Sequence, residues 1–249
     1  MLKSIVILGS VALPMFPAFA EEPVPRENLH IYLLIGQSNM AGRAKMEEAD
    51  AKAIERCLLL KADDEWEPAT SPLNRHSTIR KGLGMQKLGP GAGFAEAMTE
   101  RNPDVTIGLV VNAKGGTKIG QWKKGTKFYQ EAVRRAKVAR ESGTLKGILW
   151  HQGESDEGSP DGYLDQLAQL VKDLRKDLGE KDLPFVAGQV NKVPAINEQI
   201  AKLPETVGHT AFVSSEGLNA TDRWHFDRDS VLLLGERYAE AMLTLQSHD

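Results

Sequence analysis

From residue 31 to residue 246, short apolar runs typical of strands alternate with segments typical of amphipathic helices. The strand-like runs are residues 31–35, 57–60, 105–111, 147–150, 185–189 and 211–214. The helix-like segments are residues 94–101, 128–142, 163–178, 196–203 and 230–246, with 61–93 as long connections. Parallel strands need crossover helices, which cover both faces of the sheet and allow continuous apolar strands. The alternation therefore predicts an α/β fold with a parallel central sheet that is covered by helices on both faces.

Chain length and charge limit the classes of function. The 249 residues fit one α/β domain, which we predict to span residues 21–249. The formal net charge of -3 lacks the basic surplus of a nucleic-acid binder, so we expect no nucleic-acid partner. The single cysteine, Cys57, lies in an apolar run and is predicted to pack in the core. Neither a metal-binding nor a nucleotide-binding motif occurs, so we predict no metal and no cofactor. The oligomeric state is left open.

The N-terminus has the features of an export signal. Lys3 supplies a positive charge, residues 5–16 are mostly apolar, and Ala18-Phe19-Ala20 is a small-x-small cleavage site. The apolar run is too short and too interrupted by proline to predict a membrane span. We therefore predict a signal peptide at residues 1–20 and a periplasmic or extracellular protein.

Four polar clusters directly follow strand-like runs. They are residues 36–39, 112–117, 151–156 and 214–225. In open α/β sheets, ligands bind outside the carboxyl ends of the strands. We therefore expect these clusters to converge at one edge of the sheet.

Ser38, His225 and Asp222 are the candidate catalytic residues. A serine hydroxyl needs an adjacent base, and the Asp222-x-x-His225 spacing places a carboxylate and an imidazole on one face of a turn. Ser38 as a helix N-cap, and Asp222 as a cap of the last helix, are the alternatives from each segment alone. Asp227 and Asp229 are nearby carboxylates beyond His225.

A Ser-His-Asp hydrolase also needs donors that stabilise a developing oxyanion. The candidates are the backbone N–H groups of Ser38, Gly116 and Gly115 and the side-chain amide of Gln152. Ordinary turns after strands are the alternative explanation for these glycines.

Further residues in these clusters are candidates for binding substrate or supporting the site: Gln37, Asn39, Arg43, Glu154 and Trp224. Glu154 is a second candidate for orienting His225. Arg43 suits either the carboxylate of an acidic sugar or a structural salt bridge, and Trp224 suits either stacking on a sugar or packing. Lys118, Lys123, Lys124 and Lys127 form a basic stretch, for which a solvated face or an acidic polysaccharide partner are the alternatives.

Together the four blocks resemble those of the SGNH hydrolases. The blocks are Ile35-Gly36-Gln37-Ser38-Asn39-Met40-Ala41-Gly42-Arg43, Gly115-Gly116-Thr117, His151-Gln152-Gly153-Glu154-Ser155-Asp156 and Asp222-x-x-His225. More narrowly, they resemble the sialate O-acetylesterase-like and carbohydrate esterase family 6 branch, where G-Q-S-N-M replaces the G-D-S opening. The resemblance implies an α/β fold that is a three-layer αβα sandwich with a central, mainly parallel sheet of the SGNH/flavodoxin-like kind, and serine esterase chemistry on acetylated sugars. It also implies the triad Ser38, Asp222 and His225, and oxyanion donors at Ser38, Gly115 or Gly116, and Gln152.

From the residues and the resemblance we predict an exported carbohydrate O-acetylesterase that works through an acyl-enzyme. The predicted substrates are acetylated xylan, its oligosaccharides, or acetylated sialic acid. The alternatives are a general carboxylesterase, lipase or thioesterase on the same triad, or a carbohydrate-binding relative without activity.

Overall fold

Seven strands form one sheet in the computed structural model, which describes residues 24–80, 82 and 84–247. In chain order the strands are β1 (Leu29–Gly36), β2 (Cys57–Leu60), β3 (Trp66–Pro68), β4 (Thr106–Ala113), β5 (Thr144–His151), β6 (Phe185–Gly188) and β7 (Thr210–Val213). Their order across the sheet is β3-β2-β4-β1-β5-β6-β7. Only the pairing of β3 with β2 is antiparallel among these strands, so the sheet is mainly parallel.

Seven α-helices accompany the sheet in the described part of the chain. They are α1 (Ser38–Ala41), α2 (Gly91–Arg101), α3 (Lys127–Ala139), α4 (Tyr163–Leu178), α5 (Pro194–Ala201), α6 (Leu203–Thr206) and α7 (Arg228–Gln246). Apolar residues of α3, α4 and α5 pack in the core on one face of the sheet, and those of α2 and α7 pack on the other. The predicted three-layer sandwich is confirmed.

Strand β1 explains why the central strands are apolar at every position. Ile31, Leu33 and Ile35 belong to the core beneath α3 and α4, whereas Tyr32 and Leu34 belong to the core beneath α2 and α7. Side chains alternate between the two faces of a strand, so a strand covered on both faces needs an unbroken apolar run.

The predicted elements are present with small differences in their bounds, except that the helix predicted at 196–203 is divided into α5 and α6. Strand β2 and helix α4 have the predicted bounds, and Cys57 is buried as expected. The prediction of 61–93 as connections was wrong in part, because it contains β3 and the 3₁₀ turn Leu73–His76. A three-residue edge strand ending in proline is too short to show a period. The proposed signal peptide, residues 1–20, lies outside the described residues.

The carboxyl ends of the three central strands are aligned. In the strand register, Gly36 of β1 pairs with Ala113 of β4 and with His151 of β5. The segments that follow these strands therefore leave the sheet side by side. Helix α7 starts near this edge and returns along the sheet, and near its end Gln246 Nε2 donates to Lys146 O of β5.

Candidate active site

Ser38 directly follows the sharp turn at the end of β1. Gly36 has φ +138°, and a Cβ atom there would lie 2.1 Å from the carbonyl oxygen of His151. Only glycine therefore allows this close approach of β1 and β5. The N–H of Gln37 donates to the same His151 oxygen at 2.8 Å, and α1 begins at the next residue, Ser38.

His225 lies between Ser38 and Asp222. Its Nε2 is 3.1 Å from Ser38 Oγ, and its Nδ1 is 2.7 Å from Asp222 Oδ2. An Nδ1–H that donates to the carboxylate leaves the lone pair of Nε2 facing the serine hydroxyl. The structure therefore brings together the three residues that the sequence predicted as nucleophile, base and orienter.

Asp222 is held ionised by hydrogen bonds. Desolvation acts to raise the pKa of Asp222, but the bond from His225 and the backbone N–H groups of Trp224 and His225 lower it to about 2. Those N–H groups donate to Oδ1 at 2.7 and 2.9 Å, which leaves Oδ2 for the imidazole. Neither of the nearby carboxylates beyond His225 orients the imidazole, because Asp227 is the N-cap of α7 and Asp229 contacts Arg228.

Asn39 joins the serine segment to the histidine segment. Its Nδ2 donates to Trp224 O at 2.9 Å and to Glu154 Oε1 at 2.7 Å, and its Oδ1 accepts from the N–H of Phe226 at 3.3 Å. These two backbone contacts flank His225 on both sides. Asn39 is buried and lies outside the lining of the cavity at Ser38, so its contacts support the site rather than bind substrate.

Glu154 and His151 form a buried pair beneath this link. Burial raises the pKa of Glu154 to about 7 and lowers the pKa of His151 to about 3, so the imidazole is neutral. Tyr238 donates to Trp150 O, so His151 Nδ1–H donates to the tyrosine oxygen at 3.1 Å. Glu154 makes no hydrogen bond or ion pair with His225 and is linked to it through Asn39, contrary to its predicted alternative role as the orienting acid.

The prediction of Gln152 as an oxyanion donor does not fit its contacts. Its Nε2 lies 2.7 Å from Asp156 Oδ2, 2.8 Å from Thr117 O and 3.2 Å from Gln37 Oε1. A side-chain amide has two hydrogens, which these acceptors engage. Gln152 is fully buried and instead ties together the segments that follow β1, β4 and β5.

Two of the predicted oxyanion donors, the N–H groups of Gly115 and Gly116, belong to a loop beside Ser38. The N–H groups of Gly115 and Gly116 make no hydrogen bond within the described part of the chain. Gly116 has φ +73°, which favours glycine, and it lines the cavity at Ser38. A Cβ atom at Gly115 would lie 3.3 Å from Ser38 Cβ, so this loop packs directly against the serine.

A cavity of about 330 Å³ opens above Ser38 and His225. Its lining residues are Gln37, Ser38, Arg43, Gly116, Glu154, Ser155, Trp224 and His225. Trp224 is half-buried, and the Arg223 guanidinium lies 4.4 Å from its ring centroid. Of the five further candidates for binding substrate or supporting the site, all except Asn39 therefore line the cavity. Sequence reasoning missed Asp156, whose Oδ2 also accepts from the N–H of Ile119 at 2.9 Å.

The described residues contain neither a cluster of metal-binding side chains nor a helix that could span a membrane. Within 24–80, 82 and 84–247, no group of three or more His, Cys, Asp or Glu side chains is placed to hold a metal ion. No helix in the same residues is long and apolar enough to cross a membrane.

Comparison with protein families gives one match over most of the chain. Residues 28–244 match the model described as "Carbohydrate esterase, sialic acid-specific acetylesterase". A probable carbohydrate esterase of Arabidopsis thaliana is 31% identical over 252 residues, which cover 90% of this chain and 93% of the relative.

Solved structures support the same likeness. An X-ray structure of an Arabidopsis thaliana protein has a TM-score of 0.79 at 30% identity, covering 88% of this chain and 98% of that one. NanS has a TM-score of 0.71 at 16% identity, covering 91% and 100%. A carbohydrate acetylesterase from Xanthomonas citri has a TM-score of 0.67 at 20% identity, covering 88% and 57%. The last two likenesses show the fold.

Proposed function

This chain belongs to the carbohydrate esterase, sialic acid-specific acetylesterase family, and we propose that it removes O-acetyl groups from carbohydrates through an acyl-enzyme on Ser38. Membership makes the chain a carboxylic ester hydrolase of the carbohydrate acetylesterase type, and it confirms the resemblance seen in the sequence. Beyond family membership, we propose which residues act and in which order the steps occur.

The alignment of Asp222, His225 and Ser38 is the observation that carries the mechanism. The contacts of 2.7 and 3.1 Å join a carboxylate, an imidazole and a hydroxyl in the order that proton transfer needs. Ser38 is only 5% exposed, yet it lines an open cavity, so a substrate can reach its hydroxyl from one side.

In the first half-reaction, Ser38 Oγ bonds to the acetyl carbonyl carbon while His225 Nε2 takes the hydroxyl proton. The N–H groups of Ser38 and Gly116 donate to the carbonyl oxygen as it becomes negative. The bond to the sugar oxygen then breaks, and the proton passes from His225 to that oxygen, which leaves as a hydroxyl group. Asp222 stabilises the imidazolium between these transfers.

In the second half-reaction, water takes the place of the sugar. His225 removes a proton from water, and the resulting oxygen bonds to the acetyl carbon. The proton returns to Ser38 Oγ as the ester bond to serine breaks, which releases acetate and restores the enzyme. Acetylated xylan, its oligosaccharides and acetylated sialic acid are the proposed substrates, and export of the protein remains a prediction.

The test compares the unaltered protein with Ser38→Ala on p-nitrophenyl acetate and on acetylated xylo-oligosaccharides, with released acetate as the readout. Removal of the nucleophile should lower kcat by at least about a thousandfold. Ser155→Ala is the matched control, since this serine lines the same cavity without contacting His225. Equal rates for Ser38→Ala and the unaltered protein would refute the proposed mechanism.

A further inference from the structure

Two further cavities border the cavity at Ser38. The first, of about 410 Å³, is lined by residues of the segments 84–87 and 221–225 and by Arg43. The second, of about 440 Å³, lies on the side of Gly115 and Phe128. Arg43 lines all three cavities, whereas His225 lines the Ser38 cavity and the first neighbour but not the second. We call the first neighbour the Met85 cavity, after the methionine in its lining.

The chemistry of the proposed reaction directs the sugar towards His225. When the acyl-enzyme forms, the leaving sugar oxygen takes its proton from His225 Nε2, so that oxygen must lie within hydrogen-bond reach of this nitrogen. The acetyl carbonyl oxygen instead faces the proposed donors at Ser38 and Gly116. His225 stands where the Ser38 cavity meets the Met85 cavity. The part of the substrate that leaves with the sugar oxygen therefore faces the Met85 cavity.

Both segments that line the Met85 cavity are held by backbone hydrogen bonds. The N–H of Lys87 donates to Gly42 O at 3.2 Å, which fixes the segment 84–87 against the chain that follows α1. The N–H of Thr221 donates to His225 O at 2.9 Å, which closes the segment 221–225 into a tight loop. Walls that are already ordered bind a ligand without the entropy cost of ordering them.

The lining of the Met85 cavity suits a sugar ring. The side chain of Met85 is the most exposed large apolar residue in the described part of the chain, at 58%. A thioether side chain adapts to an irregular apolar surface, such as the C–H face of a pyranose. Lys87, Thr221 and Asp222 are exposed beside it and offer hydrogen-bond donors and acceptors to hydroxyl groups. The volume of this cavity also lies in the range of small-molecule sites.

We propose that the Met85 cavity is a subsite for a second sugar unit, joined by a glycosidic bond to the unit that carries the acetyl group. The preferred substrate is therefore an acetylated di- or oligosaccharide rather than an acetylated monosaccharide. Met85 packs on the C–H face of this second ring, and Lys87 and Thr221 contact its hydroxyl groups. This inference rests on the proposed function, because it concerns the substrate of the same serine.

The test compares shorter and longer substrates in two series. One series is methyl xyloside and methyl xylobioside, and the other is N-acetylneuraminic acid and its glycoside with lactose. Each compound carries one O-acetyl group and is prepared as a set with that group at every free position. We expect kcat/KM of the longer member to exceed that of the shorter by about ten- to hundredfold in at least one series, because the second ring covers apolar surface and gains hydrogen bonds.

Gly84→Phe fills the Met85 cavity without backbone strain. A Cβ atom at Gly84 would have no atom of the described residues within 4 Å, and Gly84 is not in the left-handed region. We expect the preference for the longer substrate to fall below about threefold. Gly208→Phe is the matched control, because a Cβ atom there is equally free and the residue precedes the amino end of β7, away from the site.

Met85→Ala removes the apolar contact without filling the cavity. It should reduce the preference about three- to tenfold, and Met85→Leu should retain most of it. Leu233→Ala, which shortens another exposed apolar side chain, on α7, should leave the preference unchanged. The readout is the ratio of kcat/KM for the longer to the shorter substrate, because a general loss of folded protein does not alter this ratio.

Equal kcat/KM for the shorter and longer members of both series, or an undiminished preference in Gly84→Phe, would overturn the inference. If acetate is then still released in a reaction that needs Ser38, the proposed function stands without the subsite. Failure of every sugar ester and of p-nitrophenyl acetate to release acetate would refute both.

Discussion

Ser38 follows the buried carboxyl end of β1, whereas Asp222 and His225 lie on the connection between β7 and α7. The serine is 5% exposed and follows a turn fixed by contacts with β5. In contrast, the side chain of Asp222 is 53% exposed and that of His225 is 21% exposed. The nucleophile is thus positioned by the sheet, while the base and its carboxylate depend on local hydrogen bonds and on one link to the serine segment.

That link is Asn39, which contacts the backbone on both sides of His225. Other contacts of the connection are local or peripheral, such as the bond from Asn191 Nδ2 to Arg223 O. The difference between the two regions indicates that the geometry needed for proton transfer depends mainly on how the segment that carries His225 is held. Three changes test this view, from the largest expected effect to the smallest.

Asp222→Asn changes the exposed region directly, at the carboxylate that binds His225. An amide cannot hold the imidazolium as a carboxylate does and can favour the wrong tautomer, so kcat should fall by about a hundred- to ten-thousandfold. Because the pKa of Asp222 is about 2, the carboxylate is ionised at every pH from 5 to 9, and the loss should persist across that range. Rates on p-nitrophenyl acetate at several pH values measure it. Asp229→Asn, which removes a nearby exposed carboxylate, is the control, and an equal loss in both would contradict the assignment.

Asn39→Ala breaks the link between the two regions. It removes three hydrogen bonds and leaves Glu154 Oε1 and the backbone at Trp224 without their partner. We expect kcat to fall about ten- to hundredfold, with less change in KM, and stability to fall by about 1–3 kcal/mol.

The control for this change is Asn197→Ala. Asn197 also makes two bonds to one backbone segment, at Val190 N and O, but away from Ser38 and His225. Thermal unfolding and kcat are measured on both variants. If Asn39→Ala loses stability but keeps the kcat of the control, then Asn39 does not position His225.

Glu154→Gln tests the buried carboxyl group beneath Asn39 through the pH dependence of stability. The pKa of Glu154 in the folded protein is about 7, above its ordinary value of 4.5, so the folded state holds the proton more tightly. The stability from this proton is fully present below pH 4.5 and is lost as pH rises through about 7. This group should lower the free energy of unfolding by up to about 3 kcal/mol between pH 5 and pH 8, and Glu154→Gln should remove that slope.

Denaturant unfolding at both pH values measures the slope. Glu65→Gln, an exposed carboxyl group, should keep the slope of the unaltered protein. Parallel slopes in all three proteins would show that Glu154 does not titrate in this range. The effect on kcat should be less than about fivefold, because Gln can still accept the bond from Asn39.

The parts of the fold that are visible in single segments of the sequence could be predicted. Helix α4 has a clear helical period and β2 is an unbroken apolar run, and both were placed with correct bounds, whereas β3 is too short to show either signal. The convergence of Ser38, Asp222 and His225 was predictable because each follows a strand or lies in a short turn motif. Their distances depend on the register of β1 with β5, which no single segment shows.

The failures at the site have a common physical cause. Gln152 has the right chemistry for an oxyanion donor, but Asp156 and Thr117 compete for its hydrogens, and that competition exists only in the folded chain. A second cavity, of about 440 Å³, shows the same effect, since Arg43, Arg80 and Lys114 in its lining come from separate segments. Of the basic stretch noticed in the sequence, only Lys127 lines it.

Helix α7 begins close to His225 and finishes at the opposite rim of the sheet, where Gln246 contacts Lys146 and Tyr32. The other end of the described chain is also at that rim, where Arg26 donates to Arg140 O after α3. Both ends of the described chain therefore lie at the rim opposite the mouth above Ser38. A bulky polysaccharide chain thus approaches the serine from the side of the sheet that carries neither of these ends.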